Sequence, residues 1–153
     1  MATLARPTTL VCILATILAA FGCSNKTSDR DLETLSVQES IELANSKSGG
    51  PFSVQNRIAW VDPRSEEEFK KAHIPGAVNI PFGGPFERLA SQELRGVNAI
   101  IVYATSVQDV LGTAASKRLI ELGYQPVYTL KGGLRQWMRD GNKVDGTDPS
   151  SAE

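Results

Sequence analysis

The sequence predicts an α/β domain in which a parallel sheet is covered by helices on both faces. Three observations carry this. Short apolar runs of strand length recur along the chain, amphipathic segments with recognisable caps lie between them, and the two kinds alternate. At 153 residues the chain suits one domain with a short appendage. The portion beyond its N-terminal leader, roughly 130 residues, is long enough to bury a sizeable core.

Each element has a local reason. Ser36 has the character of an N-cap, followed by a short helix with Val37, Ile41 and Ala44 on one face. Asn45 to Pro51 contains a Gly-Gly pair and reads as a loop. Arg57 to Val61 is a compact apolar run suited to a buried strand. Ser65 and Glu68 form a capping-box pattern that opens a helix through Lys71. Ala77 to Ile80 is a short strand stopped by Pro81, and Pro81 to Phe86 is a loop. Phe86, Leu89, Ala90 and Leu94 share one face of the next helix.

Ala99 to Tyr103 is the most strongly marked strand. Ala104 to Gln108 is a strand-to-helix loop, and Asp109 to Leu122 a helix with Leu111, Ala115, Leu119 and Leu122 as its stripe, ended by Gly123. Pro126 to Leu130 is a further strand and Leu134 to Arg139 a last helix. Residues 142–153 read as a polar tail.

The N-terminal segment reads as a targeting signal. Arg6 precedes an apolar run from Leu10 to Phe21, shorter than the roughly 20 residues of a membrane span. The run ends in Ala20-Phe21-Gly22-Cys23, which resembles a bacterial lipobox, although leucine is more usual than Ala20. Residues 1–22 are therefore expected to be a lipoprotein signal peptide, Cys23 the lipidation site and 23–34 a flexible tether, opened by the polar stretch Ser24 to Asp29. An uncleaved anchor and an ordinary secretory signal are the alternatives. The expected location is the bacterial cell envelope, on the periplasmic face if the host has an outer membrane. Cys12 would leave with the signal and Cys23 would be acylated, so no free thiol is expected in the mature chain.

Charge and ligand types narrow the functions. The formal net charge is −1, with both signs interspersed, so nucleic acid is not an expected partner. His73 is the single histidine and no Cys/His cluster accompanies it, so neither a metal nor a cofactor is expected.

Asp62-x-Arg64, Glu68-Phe69, His73-Ile74-Pro75-Gly76-Ala77, Ile80-Pro81 and Leu130-x-Gly132-Gly133 followed by Trp137 occur in this order. Together they resemble the rhodanese-like family, over Leu35 to Gly141. The resemblance implies a three-layer domain with a central, mostly parallel sheet of about five strands. It implies framing roles for Asp62, Arg64, Glu68, His73, Gly76, Gly132 and Gly133. Asp62 would accept hydrogen bonds from loop backbone, Arg64 would pair with a carboxylate, and the glycines would permit tight turns. His73 is then a scaffold residue rather than a general base, and Trp60 and Trp137 belong to the core.

In that family this strand-to-helix loop carries a persulfide-forming cysteine, and the resemblance places Ala104 there. The loop Ala104-Thr105-Ser106-Val107-Gln108-Asp109 has neither a cysteine nor an arginine. Asp109 adds negative charge and is expected to cap the helix, against anion binding. The loop is longer than in common single-domain sulfurtransferases, which resembles the phosphatase relatives, but their chemistry needs the same cysteine and an arginine. The hydroxyls of Thr105 and Ser106 are expected to bond to nearby backbone rather than act as nucleophiles. The expected function is a lipid-anchored, catalytically inactive binding or scaffold module with a protein or small-molecule partner. The alternatives are sulfur transfer or sulfur carriage with a cysteine supplied by a partner, and small-molecule reception in the emptied pocket.

Overall fold

A computed structural model describes residues 28–46 and 56–152. The expected signal peptide, Cys23 and most of the loop after Asn45 lie outside the described residues. Five strands form one sheet in the order β1-β5-β4-β2-β3, and all its pairings are parallel. The strands are β1 (Glu33–Leu35), β2 (Ile58–Asp62), β3 (Val78–Asn79), β4 (Ala99–Val102) and β5 (Val127–Leu130). The helices are α1 (Val37–Asn45), α2 (Glu66–Lys71), α3 (Phe86–Glu93), α4 (Val110–Glu121) and α5 (Gly133–Arg139).

The two faces of the central strand separate the core into two layers, as the period of two requires. Ile101 and Tyr103 point into one cluster with Val37, Trp60, Leu130, Leu134 and Trp137. Ile100 and Val102 point into the other with Phe86, Ala115 and Leu119. Trp60 and Trp137 meet edge to face with centroids 5.2 Å apart, the core role expected for both. Both capping boxes form: Ser36 with Glu39 opens α1, and Ser65 with Glu68 opens α2.

Two expectations change at the ends of the domain. Residues 23–34 were assigned to a tether, yet Glu33 and Thr34 belong to β1, paired with Tyr128 and Thr129. An edge strand of three residues, two of them exposed, carries no apolar run for the sequence to display. Residues 142–153 were assigned to a tail, yet the segment is strapped to the end of α2. His73 and Asp145 exchange both backbone hydrogen bonds, at 2.8 and 2.9 Å, and the amides of Thr147 and Asp148 donate to Lys70 and Lys71 at 2.9 Å. The Trp137 indole donates to the Lys143 carbonyl at 2.7 Å, and Val144 packs on the core. Polar composition hid this docking because the contacts are made by backbone.

Truncation after Asn142 is expected to cost about 2–4 kcal/mol, from the lost burial of Val144 and the lost partners of Trp137 and the strap amides. Urea denaturation of the truncated and full chains checks this. An unchanged midpoint would show that the strap adds nothing.

Candidate functional site

Parallel strands bring all their C-terminal ends to one edge of the sheet, so the loops after β1, β2, β4 and β5 converge there. Ala104 leaves the end of β4 and is only 4 % exposed. Its methyl group faces the first turn of α4, where a Cβ added to Gly112 would lie 3.4 Å from it. The loop then crosses to Asp109, the N-cap of α4.

Asp109 does more than cap. Its Oδ1 accepts the Leu111 amide at 3.0 Å, while its Oδ2 reaches back to accept the Thr105 amide at 3.1 Å. One carboxylate thus spans the loop and occupies N–H groups on both sides of it. The opposite wall is fixed by α5, whose Leu134 and Arg135 amides donate to the carbonyls of Ala104 and Thr105 at 2.8 and 3.0 Å. This approach needs Gly133: it has a φ of +61°, and a Cβ there would overlap the Ala104 carbonyl oxygen. The Ser106 hydroxyl meets Gln108 Oε1 at 3.1 Å, a side-chain partner where a backbone one was expected.

Beneath the loop, Asp62 and Arg64 form a buried ion pair. Arg64 Nη2 lies 2.5 Å from Asp62 Oδ2 and Nε 2.9 Å from Oδ1, and the Arg64 amide donates to the same Oδ1 at 3.0 Å. Nη2 also donates to the Ala72 carbonyl at 2.7 Å, tying β2 to the end of α2. Burial alone would lower the Arg64 pKa, but the hydrogen bond and charge of Asp62 outweigh it and the net direction is upward. Tyr103 lies against this pair, its ring 5.9 Å from the guanidinium carbon and its hydroxyl accepting the Ile74 amide at 3.1 Å. Burial, and then the Asp62 charge, push the Tyr103 phenol up beyond its ordinary range, so it stays neutral. Asn79, which the sequence did not single out, donates to the carbonyls of Asp62 and Arg64 at 3.0 and 2.9 Å.

The remaining framing residues have separate roles, and of these Gly132 lies beside the loop residues Ser106 to Gln108. Glu68 closes the capping box of α2. His73 stacks on Phe69 at 4.0 Å and its Nδ1 lies 2.8 Å from the Phe69 carbonyl, to which it donates. Gly76 and Gly132 have φ values of +76° and +83°, the latter at the N-cap of α5. Among the described residues no group of three or more His, Cys, Asp or Glu is placed to hold a metal ion.

An open cavity of about 430 Å³ adjoins the loop, with Val37, Val107, Gln108, Lys131, Arg135 and Arg139 among its lining. The sequence reading missed it. Its signal was the spacing of Lys131, Arg135 and Arg139 at intervals of four, which only becomes a common face once α5 is placed.

The all-parallel sheet, the Asp62-x-Arg64 knot and the converging loops define a rhodanese-type scaffold. A family model of the rhodanese-like domain matches residues 47–140, and the chain belongs to that family. It is 32 % identical over 76 residues to thiosulfate sulfurtransferase PspE of Escherichia coli, covering 50 % of this chain and 70 % of that protein. It is 35 % identical over 88 residues to HTH-type transcriptional regulator Rv0324 of Mycobacterium tuberculosis, covering 58 % of this chain and 38 % of the regulator. The chain spans 38 % and 59 % of the length of the two curated relatives it matches over the longest stretches. The crystal structure of BH2092 protein from Bacillus halodurans superposes with a TM-score of 0.61 at 28 % identity, covering 75 % of this chain and 77 % of that one.

Replacing Asp62 by alanine would strand the buried Arg64 charge, and is expected to cost about 3–5 kcal/mol. Equilibrium denaturation measures this. A loss below about 1 kcal/mol, the scale of an exposed pair, would mean that the knot is not holding the loops.

Proposed function

We propose that this protein is an exported rhodanese-like domain, lipid-anchored at Cys23, that acts as a binding or scaffold module and does not itself transfer sulfur. The observation that carries the reading is the loop's chemistry. At the position where the family resemblance puts the nucleophile, Ala104 offers a methyl group, and residues 24–153 contain no cysteine. A covalent sulfur carrier needs a thiolate, and backbone dipoles cannot substitute for it. Phosphatase chemistry lacks support for the same reason.

Asp109 strengthens the reading. A working oxyanion or thiolate site needs free N–H groups, and the Thr105 and Leu111 amides are already taken by its carboxylate. Sulfur transfer through a partner's cysteine fits less well, because an incoming sulfur would meet a carboxylate where it needs donors. Matches to a protein named thiosulfate sulfurtransferase support descent from sulfur-transfer chemistry. They do not supply the missing atom.

The chain is expected to form no persulfide and to release no thiocyanate from thiosulfate and cyanide. Ala104→Cys alone should give at most weak turnover, because Asp109 disfavours a nearby thiolate. Ala104→Cys combined with Asp109→Ser should exceed it by about tenfold or more, the scale of restoring oxyanion donors. Thiocyanate release and a mass gain of one sulfur atom are the readouts, and wild-type turnover would overturn the reading.

Cys23→Ser is expected to abolish incorporation of labelled fatty acid. Acyl chains contribute about 0.8 kcal/mol per buried methylene, so the variant should also leave the membrane fraction if its signal is removed. Undiminished labelling of the variant would place the lipid elsewhere and overturn the assignment to Cys23.

A further inference from the structure

We propose that the cavity between α5 and the Ala104–Asp109 loop binds a small organic anion, a carboxylate or sulfonate carried on an apolar body. The proposal rests on the reading that this edge of the domain binds a partner instead of transferring sulfur, and it names the chemical class of that partner.

Charge is the first argument. Arg135 and Arg139 are one helical turn apart on α5, and Lys131, two residues before the helix, lines the same cavity. The acidic lining residue is Asp140, whose Oδ1 accepts a hydrogen bond from Gln136 Nε2 at 2.8 Å. Glu39 lies within electrostatic reach of Lys131, and the amide and hydroxyl of Ser36 hold its carboxylate in the ionised form, so it offsets part of that charge from outside the lining. The lining itself therefore carries an excess of positive charge, which selects anions.

Shape and polarity are the second. Val107 supplies apolar surface to the lining and is 71 % exposed, while Val37 beside it is buried in the core. A volume of about 430 Å³ suits a small molecule rather than a bare inorganic ion. Two amides of the loop and helix start, those of Thr105 and Leu111, are already taken by Asp109. Affinity must then come from the cations on one side and apolar contact on the other, a pairing that only an amphipathic anion satisfies.

Topology distinguishes a dissolved ligand from a lipid headgroup. The chain enters β1 at Glu33 and reaches the cavity at Ser36, beyond the strand's far end. Asp31 and Glu33 lie instead beside Gln125 and Pro126, at the N-terminal edge of the sheet. The cavity therefore lies at the opposite edge of the sheet from the chain's entry into β1.

The test uses the full chain in neutral phosphatidylcholine vesicles, with empty vesicles as baseline and equilibrium dialysis of labelled phenylacetate as the readout. Phenylacetamide keeps the ring and removes the charge. Saturable phenylacetate binding is expected, with phenylacetamide bound at least about tenfold more weakly, as the loss of a charge-assisted hydrogen bond requires. Lys131→Glu combined with Arg139→Glu should weaken phenylacetate at least about tenfold, and Val107→Asp should do the same from the apolar side. Equal binding of acid and amide by the wild-type chain would overturn the proposal without depending on any variant. So would wild-type affinity in the charge-reversed variant, or no saturable binding at millimolar probe. Absent binding together with absent sulfur transfer would remove the ligand and leave the inactive-domain reading in place. Binding together with sulfur transfer would do the reverse.

Discussion

The buried Asp62–Arg64 pair is the constraint on which the functional edge of this domain depends. It lies at the end of β2, yet its reach covers the end of α2 through Ala72 and the base of the β4 loop through Tyr103. Taking two charges out of water carries a penalty that Coulomb attraction alone does not reliably offset. Here the guanidinium meets the carboxylate through two nitrogens, and its remaining donor capacity reaches a carbonyl. The pair is therefore best understood as a device for geometry. It fixes the directions in which three connections leave the sheet, so the positions of Ala104 and Ile74 are set by the same knot.

Above that knot, the loop is held from both sides by hydrogen bonds that leave little for a ligand. Asp109 draws in the amides of Thr105 and Leu111, and α5 presents its first amides to the carbonyls of Ala104 and Thr105. A helix N-terminus ordinarily offers a site for anions. In this chain the anion is a side chain of the protein, covalently present at high effective concentration. On the proposed reading, the methyl group of Ala104 and the occupied amides act in the same direction. The first offers no atom to carry sulfur, and the second weakens the field that would stabilise one.

The legibility of the fold varied with the kind of physics involved. The strands at Ile58–Asp62, Ala99–Val102 and Val127–Leu130 announce themselves because a strand buried on both faces must be almost continuously apolar. Capping boxes at Ser36 and Ser65 are equally local, since their partners are three residues away. In contrast, β1 and the segment after Gly141 are held by backbone pairing with distant residues, and backbone groups are the same in every sequence. At the site, the Asp109 cap was readable from its position before an apolar stripe. Its second bond to Thr105 was not, because that depends on how the loop curls. Nor was Gly112, whose lack of a side chain lets α4 lie close to Ala104. The cavity beside α5 required the juxtaposition of residues near 37, 107 and 135.

The packing separates the loop from the core that holds the scaffold together. Both core layers are organised on β4, and neither contains a residue of the Thr105–Asp109 segment. Apart from the α4 cap made by Asp109, the loop crowns the sheet without joining either core layer, so Ile101, Leu119 and Trp137 are buried by other residues. Ala104 is the exception, sitting where the strand ends and the helix begins, with α4 close against its methyl group. A small side chain is accommodated at that point, and the wall of cations on α5 lies outside the close-packed region altogether. The proposed exchange of covalent chemistry for recognition would therefore leave the core unchanged, since the residues it concerns occupy the C-terminal edge of the sheet and the two core layers lie below it.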